Sequence, residues 1–503
     1  MSQNPAASSA RPKISTGVAG LDQILSGGFP AHRLYLLEGA PGTGKTTLAI
    51  QFLLAGRERG ERSLYVTLSE TKDELSDVAE SHGWSLQGLD LYELEATEQR
   101  LKPEEEYTVF RPEDAELSNT IEDVYQQVER LRPTRVVFDS VSEMRLLARD
   151  PLRYRRQILS LKQFFTGRHC TVLLLDDMTA TDHDLQLQSI SHGIISLARL
   201  GQEYGPSRRQ LNVTKLRGAP FQDGRHDYVI VKGGLVVFPR LVAAEHRDNH
   251  GRSEFPSGIA NLDKQLGGGL HRGTSILIIG PAGSGKSTLA AAYLRVAAER
   301  GEYAAAYVFE ESRETLIARM ASLSMDLHQH VESGKIKIQQ IAPAELCPGQ
   351  FIHQLQQDVE HGGASVVVID SLNGYLNAMP NERFLMVQMH ELISYLREKG
   401  VLTFLVMAQH GLVGAAIQSP VDISYLADTL ILLRFFEFGA AIKRAISILK
   451  HRKGAHEDTI REFRLTSEGI HIGPRLRNFQ GVLTGVPVYL GDRSSLLDSF
   501  DDT

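Results

Sequence analysis

Gly39-Ala-Pro-Gly-Thr-Gly-Lys-Thr46 and Gly280-Pro-Ala-Gly-Ser-Gly-Lys-Ser287 are two copies of one phosphate-binding loop, GxxxxGK[ST]. The glycines of such a loop let the backbone curl close to phosphate and aim its N–H groups inward, at the positive end of the following helix. The expected nucleotide contacts are Gly39, Gly42, Thr43, Gly44, Lys45, Thr46 and Thr47 in the first copy. In the second they are Gly280, Gly283, Ser284, Gly285, Lys286, Ser287 and Thr288. Lys45 and Lys286 would reach the β- and γ-phosphates of ATP, while the Thr46 and Ser287 hydroxyls would face Mg²⁺.

Working outward, the two loops belong to a longer repeat. Ser15-Thr-Gly-Val-Ala-Gly-Leu-Asp22 returns as Pro256-Ser-Gly-Ile-Ala-Asn-Leu-Asp263, and the loop lysines lie 241 positions apart. Apolar runs Arg33–Glu38 and Thr274–Ile279 lead into the loops. The runs Ser63–Leu68 and Ala304–Phe309 end near Glu70 and Glu311, each 25 residues after its loop lysine. Arg135-Val-Val-Phe-Asp139-Ser140 is mirrored by Ser365-Val-Val-Val-Ile-Asp370-Ser371, and further apolar strands follow at Thr171–Leu175 and Leu402–Met407. Strands alternating with helical segments of this kind predict parallel βαβ units in an α/β fold. Each half closes on runs rich in β-branched residues, Arg209–Leu216 and Asp227–Phe238, then Lys443–Leu449 and Ile460–Ile472, which predict a hairpin extension of each sheet. The expected boundaries are a disordered tail over 1–12, a first P-loop domain over 13–240, a polar linker over 241–252, a second domain over 253–485 and an acidic tail over 486–503.

Composition agrees with two ordinary globular domains: 503 residues, 42% hydrophobic and 23% charged. A net charge of -7 with no basic block argues against a nucleic-acid surface. No stretch approaches the ~20 apolar residues that span a bilayer, so the chain reads as cytoplasmic, without a membrane partner. Cys170 and Cys347 stand alone, with no pattern that suggests a disulfide or zinc.

Asp139 and Asp370 end apolar strands, where a P-loop enzyme places the carboxylate that orients a Mg²⁺-bound water, although an acid there can equally cap the next helix. Glu70, Glu310 and Glu311 end the neighbouring strands and are candidates to polarise a nucleophile beside the γ-phosphate; the alternative is a solvated acid at a helix start. Ser69 stands where Glu310 stands in the second half, so the two sites should differ in competence. Lys215 and Arg217 recur as Lys450 and Arg452. These cations either complete a neighbouring subunit's nucleotide site or are surface charges on an edge strand.

The doubled GLD-type opening, the two loops, Glu310-Glu311-Ser312, the Ile369-Asp370-Ser371 segment and the Lys215-Leu-Arg-Gly218 ending together resemble the KaiC family of the RecA/DnaB superfamily, over roughly residues 13–485. The resemblance implies two tandem RecA-like domains, each a mostly parallel twisted sheet flanked by helices, and a hexameric double ring with ATP between neighbours. It further implies a slow ATPase in the first domain and a serine/threonine autokinase and autophosphatase in the second, serving as a timing or signalling switch. Glu310 resembles the general base, with Glu311 beside it. The family's acceptor pair falls at Ser424-Tyr425, with Tyr425 in place of threonine, and Ser419 aligns with an alternate acceptor. A KaiB-like partner is implied for the first ring. The short stretch after Gly485 argues against dependence on a KaiA-like activator. Two other classes share the loops: an ATP-driven DNA-handling motor and a nucleotide-gated scaffold.

Overall fold

The computed structural model describes residues 11–94, 112–148, 150–178, 185–201, 205–246, 253–345, 347–377, 385–409, 425–438, 441–483 and 487–491. The chain divides into two compact units, Met1–Arg240 with Cys347–Gln350, and Leu241–Leu346 with Phe351–Thr503.

Among the described residues each unit is built on a nine-stranded sheet. In the first, the spatial order runs Gly234–Phe238, Arg225–Val231, Arg208–Leu216, Gly193–Leu200, Leu34–Gly39, Thr171–Asp176, Arg135–Asp139, Ser63–Thr67, Asp90–Glu93. The six strands from Gly193–Leu200 onward are parallel, and the other three add antiparallel at the far edge. The second sheet repeats this order with Thr429–Phe438, Ser275–Gly280, Leu402–Ala408, Ala364–Asp370, Tyr303–Val308 and Ile336–Gln340 as its parallel part. The central strands are buried along almost their whole length, as runs such as Leu-Tyr-Leu-Leu and Ile-Leu-Ile-Ile require when helices cover both faces.

In the first unit the loop helix Lys45–Arg57 packs Leu48, Phe52 and Leu53 on one face of the sheet, and the helices Pro112–Leu131 and Pro151–Gly167 cover the other. The second unit does the same with Lys286–Glu299 on one face, then Pro348–Glu360 and Leu385–Glu398 on the other.

Some local expectations change. The runs 227–238 and 460–472 are not single strands but hairpins that turn at Gly233, with φ 102°, and before Gly469, with φ 115°; both angles favour glycine. The strands Gly193–Leu200 and Thr429–Phe438, which lie directly beside the loop strands, carry no sequence signal of comparable strength. Of the polar stretch 241–252, Leu241 and Ala243 are buried in the core of the second unit and the Ala243 N–H donates to Glu391 Oε2 at 3.0 Å. Near the C-terminus Val488–Tyr489 pairs with Phe479–Gln480.

Candidate functional site

Parallel strands deliver their C-terminal ends to one edge of a sheet, and the loops, the strand acids and the paired acids all sit on that edge. At each loop the residue before the lysine caps the helix in the left-handed region, Gly44 at φ 95° and Gly285 at φ 100°. A Cβ at Gly44 would stand 2.6 Å from Ile230 Cδ1, so both the turn and its packing demand glycine. In the first unit the loop, Ser69, Glu70, Asp139 and Asp177 line a cleft of about 360 Å³, within the range of small-molecule sites. A helix N-terminus opening into such a cleft fits a nucleotide phosphate chain.

The first-unit acids are crowded. Tyr65 donates to Asp139 Oδ2 at 2.5 Å, and the Thr46 hydroxyl to Glu70 Oε1 at 3.4 Å. Burial, then the nearby Asp139 charge, pushes the Glu70 carboxyl up to about 7, and its Oε2 is buried without a partner among the described residues. Burial likewise raises Asp139, with the Tyr65 hydrogen bond opposing. Lys45 donates to Gly39 O at 2.7 Å and Ala40 O at 3.3 Å, and pairs with Asp177 Oδ1 at 2.8 Å.

The second unit arranges the same positions differently. Ser371 donates to Glu310 Oε1 at 2.5 Å. The corresponding Ser140 hydroxyl, fully buried, has no partner among the described residues, because Ser69 occupies the place of Glu310. Arg319 grips Glu311 through Nε at 3.1 Å and Nη2 at 2.6 Å and also donates to the Thr288 hydroxyl. Burial raises Asp370, while a hydrogen bond from Ser287 opposes. Lys286 donates to Pro281 O at 2.8 Å, and burial lowers its ammonium against the opposing charges of Asp370 and Glu310.

The sequence candidates fall into three groups. The loops, Glu70, Asp139, Glu310, Glu311 and Asp370 gather at the loop edge of their own sheets. Lys215, Arg217, Lys450 and Arg452 do not: their strands run antiparallel to the neighbours and end at the opposite edge, where Leu216 pairs with Gly193 and Lys450 with Leu430. There Lys215 donates to Gln188 O at 2.5 Å, Arg217 to Ser189 O at 2.9 Å and Arg452 to Tyr425 O at 3.3 Å. Tyr425 is exposed, at that same edge, whereas Ser419 and Ser424 lie outside the described residues. Sequence reasoning missed Tyr65, Asp177 and Arg319. Tyr65 and Arg319 could have been flagged by the fixed 241-residue offset, which sets them against Ala306 and Val78.

Two RecA-like sheets, each with a complete phosphate loop and strand-end acids, define a tandem P-loop ATPase. A family model described as the KaiC ATPase matches the chain twice, over residues 14–242 and 255–477. The chain belongs to the KaiC family. It is 26% identical over 487 residues to the circadian clock protein KaiC3 of Synechocystis sp., with 95% of each chain covered. It is 28% identical over 495 residues to the circadian clock oscillator protein KaiC of Picosynechococcus sp., covering 97% of this chain and 94% of that one. The KaiC of Synechococcus elongatus is 28% identical over 484 residues, covering 94% and 92%. Among the described residues no helix is long and apolar enough to cross a membrane.

Proposed function

We propose that the first half is a slow ATPase and the second an ATP-dependent autokinase and autophosphatase, assembled as a hexameric double ring that serves as a timing or signalling switch. The observation that carries this assignment is the difference between the acid corners: Glu310 with its Ser371 donor is present in the second half, and only Ser69 in the first. The relatives named as circadian clock proteins support the timing role, and a KaiB-like partner on the first ring is part of the same proposal. The domain boundaries at 13–240 and 253–485 belong to the same proposal, with Leu241 and Ala243 of the stretch between them packed in the second unit's core.

ATP with Mg²⁺ supplies the transferable phosphoryl group and neutralises its charge. Thr46 and Ser287 would hold the metal with Asp139 and Asp370 behind them, and Lys45 and Lys286 would neutralise phosphate oxygens. Glu310 would accept the hydroxyl proton of the acceptor, for which Ser424, Tyr425 and Ser419 are the candidates. In the first half Glu70 would take the proton of a water. Lys215, Arg217, Lys450 and Arg452, directed away from the loop of their own half, would meet the nucleotide of a neighbouring subunit.

Phosphosite mapping by mass spectrometry after incubation with Mg-ATP tests the assignment. Phosphate is expected at Ser424 or Tyr425 in the wild type and in Lys45→Ala, and absent in Lys286→Ala. An unmodified chain that still binds ATP would leave the scaffold function instead, and DNA-stimulated hydrolysis would point to a motor.

A further inference from the structure

The aspartate after the first-unit strand Thr171–Asp176 has no assigned role. Its backbone is fixed: the Asp177 N–H donates to Ser142 Oγ at 3.0 Å, and Ser142 in turn donates to Asp176 at 2.7 Å. The second unit anchors the equivalent point in the same way, the Ala408 N–H donating to Asn373 Oδ1 at 2.9 Å. Ser142 and Asn373 each stand three residues after the strand acid, and Glu38 pairs with Asp176 as Ile279 pairs with Met407. Asp177 and Ala408 are therefore one position, with a carboxylate in the first unit and a methyl in the second.

The carboxylate has a consequence for Lys45. An ammonium has three N–H donors, and here Gly39 O, Ala40 O and Asp177 Oδ1 take all three. The lysine is 7% exposed and the aspartate 29%, so the pair is shielded enough to outlast a surface ion pair. Phosphate oxygens arriving in the loop need those donors, and they meet an anionic carboxylate beside them. Lys286 has Pro281 O, and no acid at Ala408.

We propose that Asp177 is a latch on the first loop: it competes with phosphate oxygens for the Lys45 ammonium, and so weakens nucleotide binding in the first half. The inference rests on the nucleotide function proposed above and names a positioning residue of that same site.

The test is a titration of full-length protein with fluorescently labelled ADP, without Mg²⁺, in a Lys286→Ala background that isolates the first loop. Asp177→Asn should tighten binding by roughly three- to tenfold, the span expected for one charge-assisted bond partly screened by solvent. Asp177→Glu should remain weak. In a Lys45→Ala background, Ala408→Asp should loosen the second loop; a misfolded Ala408→Asp protein is replaced by Asp177→Ala in the Lys286→Ala background, which should tighten like Asp177→Asn. Unchanged or weaker binding by Asp177→Asn would overturn the latch alone. Absence of ADP binding to the first loop with either residue at 177 would overturn the nucleotide function and the latch with it.

Discussion

The two acid corners share a backbone, a loop lysine, a strand-end aspartate and one glutamate, and differ in the side chains around them. In the second unit each carboxylate has its own donor: Ser371 on Glu310, Arg319 on Glu311, Ser287 on Asp370. In the first, Ser69 removes one acid and orphans Ser140, Val78 removes the cation, and Glu70 is left half-neutralised by its surroundings. An acid gripped by its own donor can be held at a fixed distance from a side-chain acceptor. Glu70, with its carboxyl near 7 and only a 3.4 Å contact from Thr46, can hold or release a proton at neutral pH, as a slow water-activating base would. Duplication conserved the scaffold, and a few substitutions around the strand ends separated the chemistry.

The largest effect expected from breaking this difference is at Glu310. Glu310→Gln keeps the shape and the Ser371 contact but removes the base, and should lower phosphate incorporation in the second half by about 10²–10⁴-fold. Quantitative phosphosite occupancy over time measures it; retained incorporation would move the base to Glu311. Next is the pH dependence of first-half hydrolysis, read by phosphate release in Lys286→Ala. Glu70 acts as a base only when ionised, and its carboxyl is raised to about 7, so the rate should fall as pH drops below that value, about tenfold per unit. Val78 lines the cleft beside Glu70, and Val78→Arg should supply the missing cation and move this acid limb downward by about one pH unit. A limb that stays in place would show that the limiting proton is not held by Glu70.

Much of the architecture is legible in the sequence, because the loops, the strand acids and the constant 25-residue step are local features with a fixed spacing. The strands Gly193–Leu200 and Thr429–Phe438 are not, since neither run is followed by a phosphate loop or ends in an acid at a fixed spacing. The site was legible where chemistry follows chain order and illegible where it crosses the sheet. Asp177 reaches Lys45 from the next strand, Arg319 reaches Glu311 and Thr288 from inside a helix, and Tyr65 meets Asp139 across 74 residues. The same crossing sets the place of the basic pairs: an antiparallel strand takes Lys215 and Arg217 to the edge opposite the loop of their own half.

Smaller effects should come from the groups that hold the acids in place. Arg319→Met leaves Glu311 without its two-pronged partner, and should cost about 1 kcal/mol of stability in the second unit, visible as an earlier urea transition. The smallest is Tyr65→Phe. The phenol is fully buried and its hydrogen bond favours the ionised form of Asp139, which burial otherwise opposes. Without it the carboxylate should be harder to ionise and a weaker partner for Mg²⁺, raising the half-saturating Mg²⁺ for first-half hydrolysis by roughly threefold while leaving the maximal rate nearly intact. Ala306 fills the matching place in the second unit, so the same measurement on Lys45→Ala should not respond to any change at Tyr65. An unaltered Mg²⁺ requirement would reduce Tyr65 to a packing residue, and the first unit's strand acid would then depend on Thr46 as the second unit's depends on Ser287.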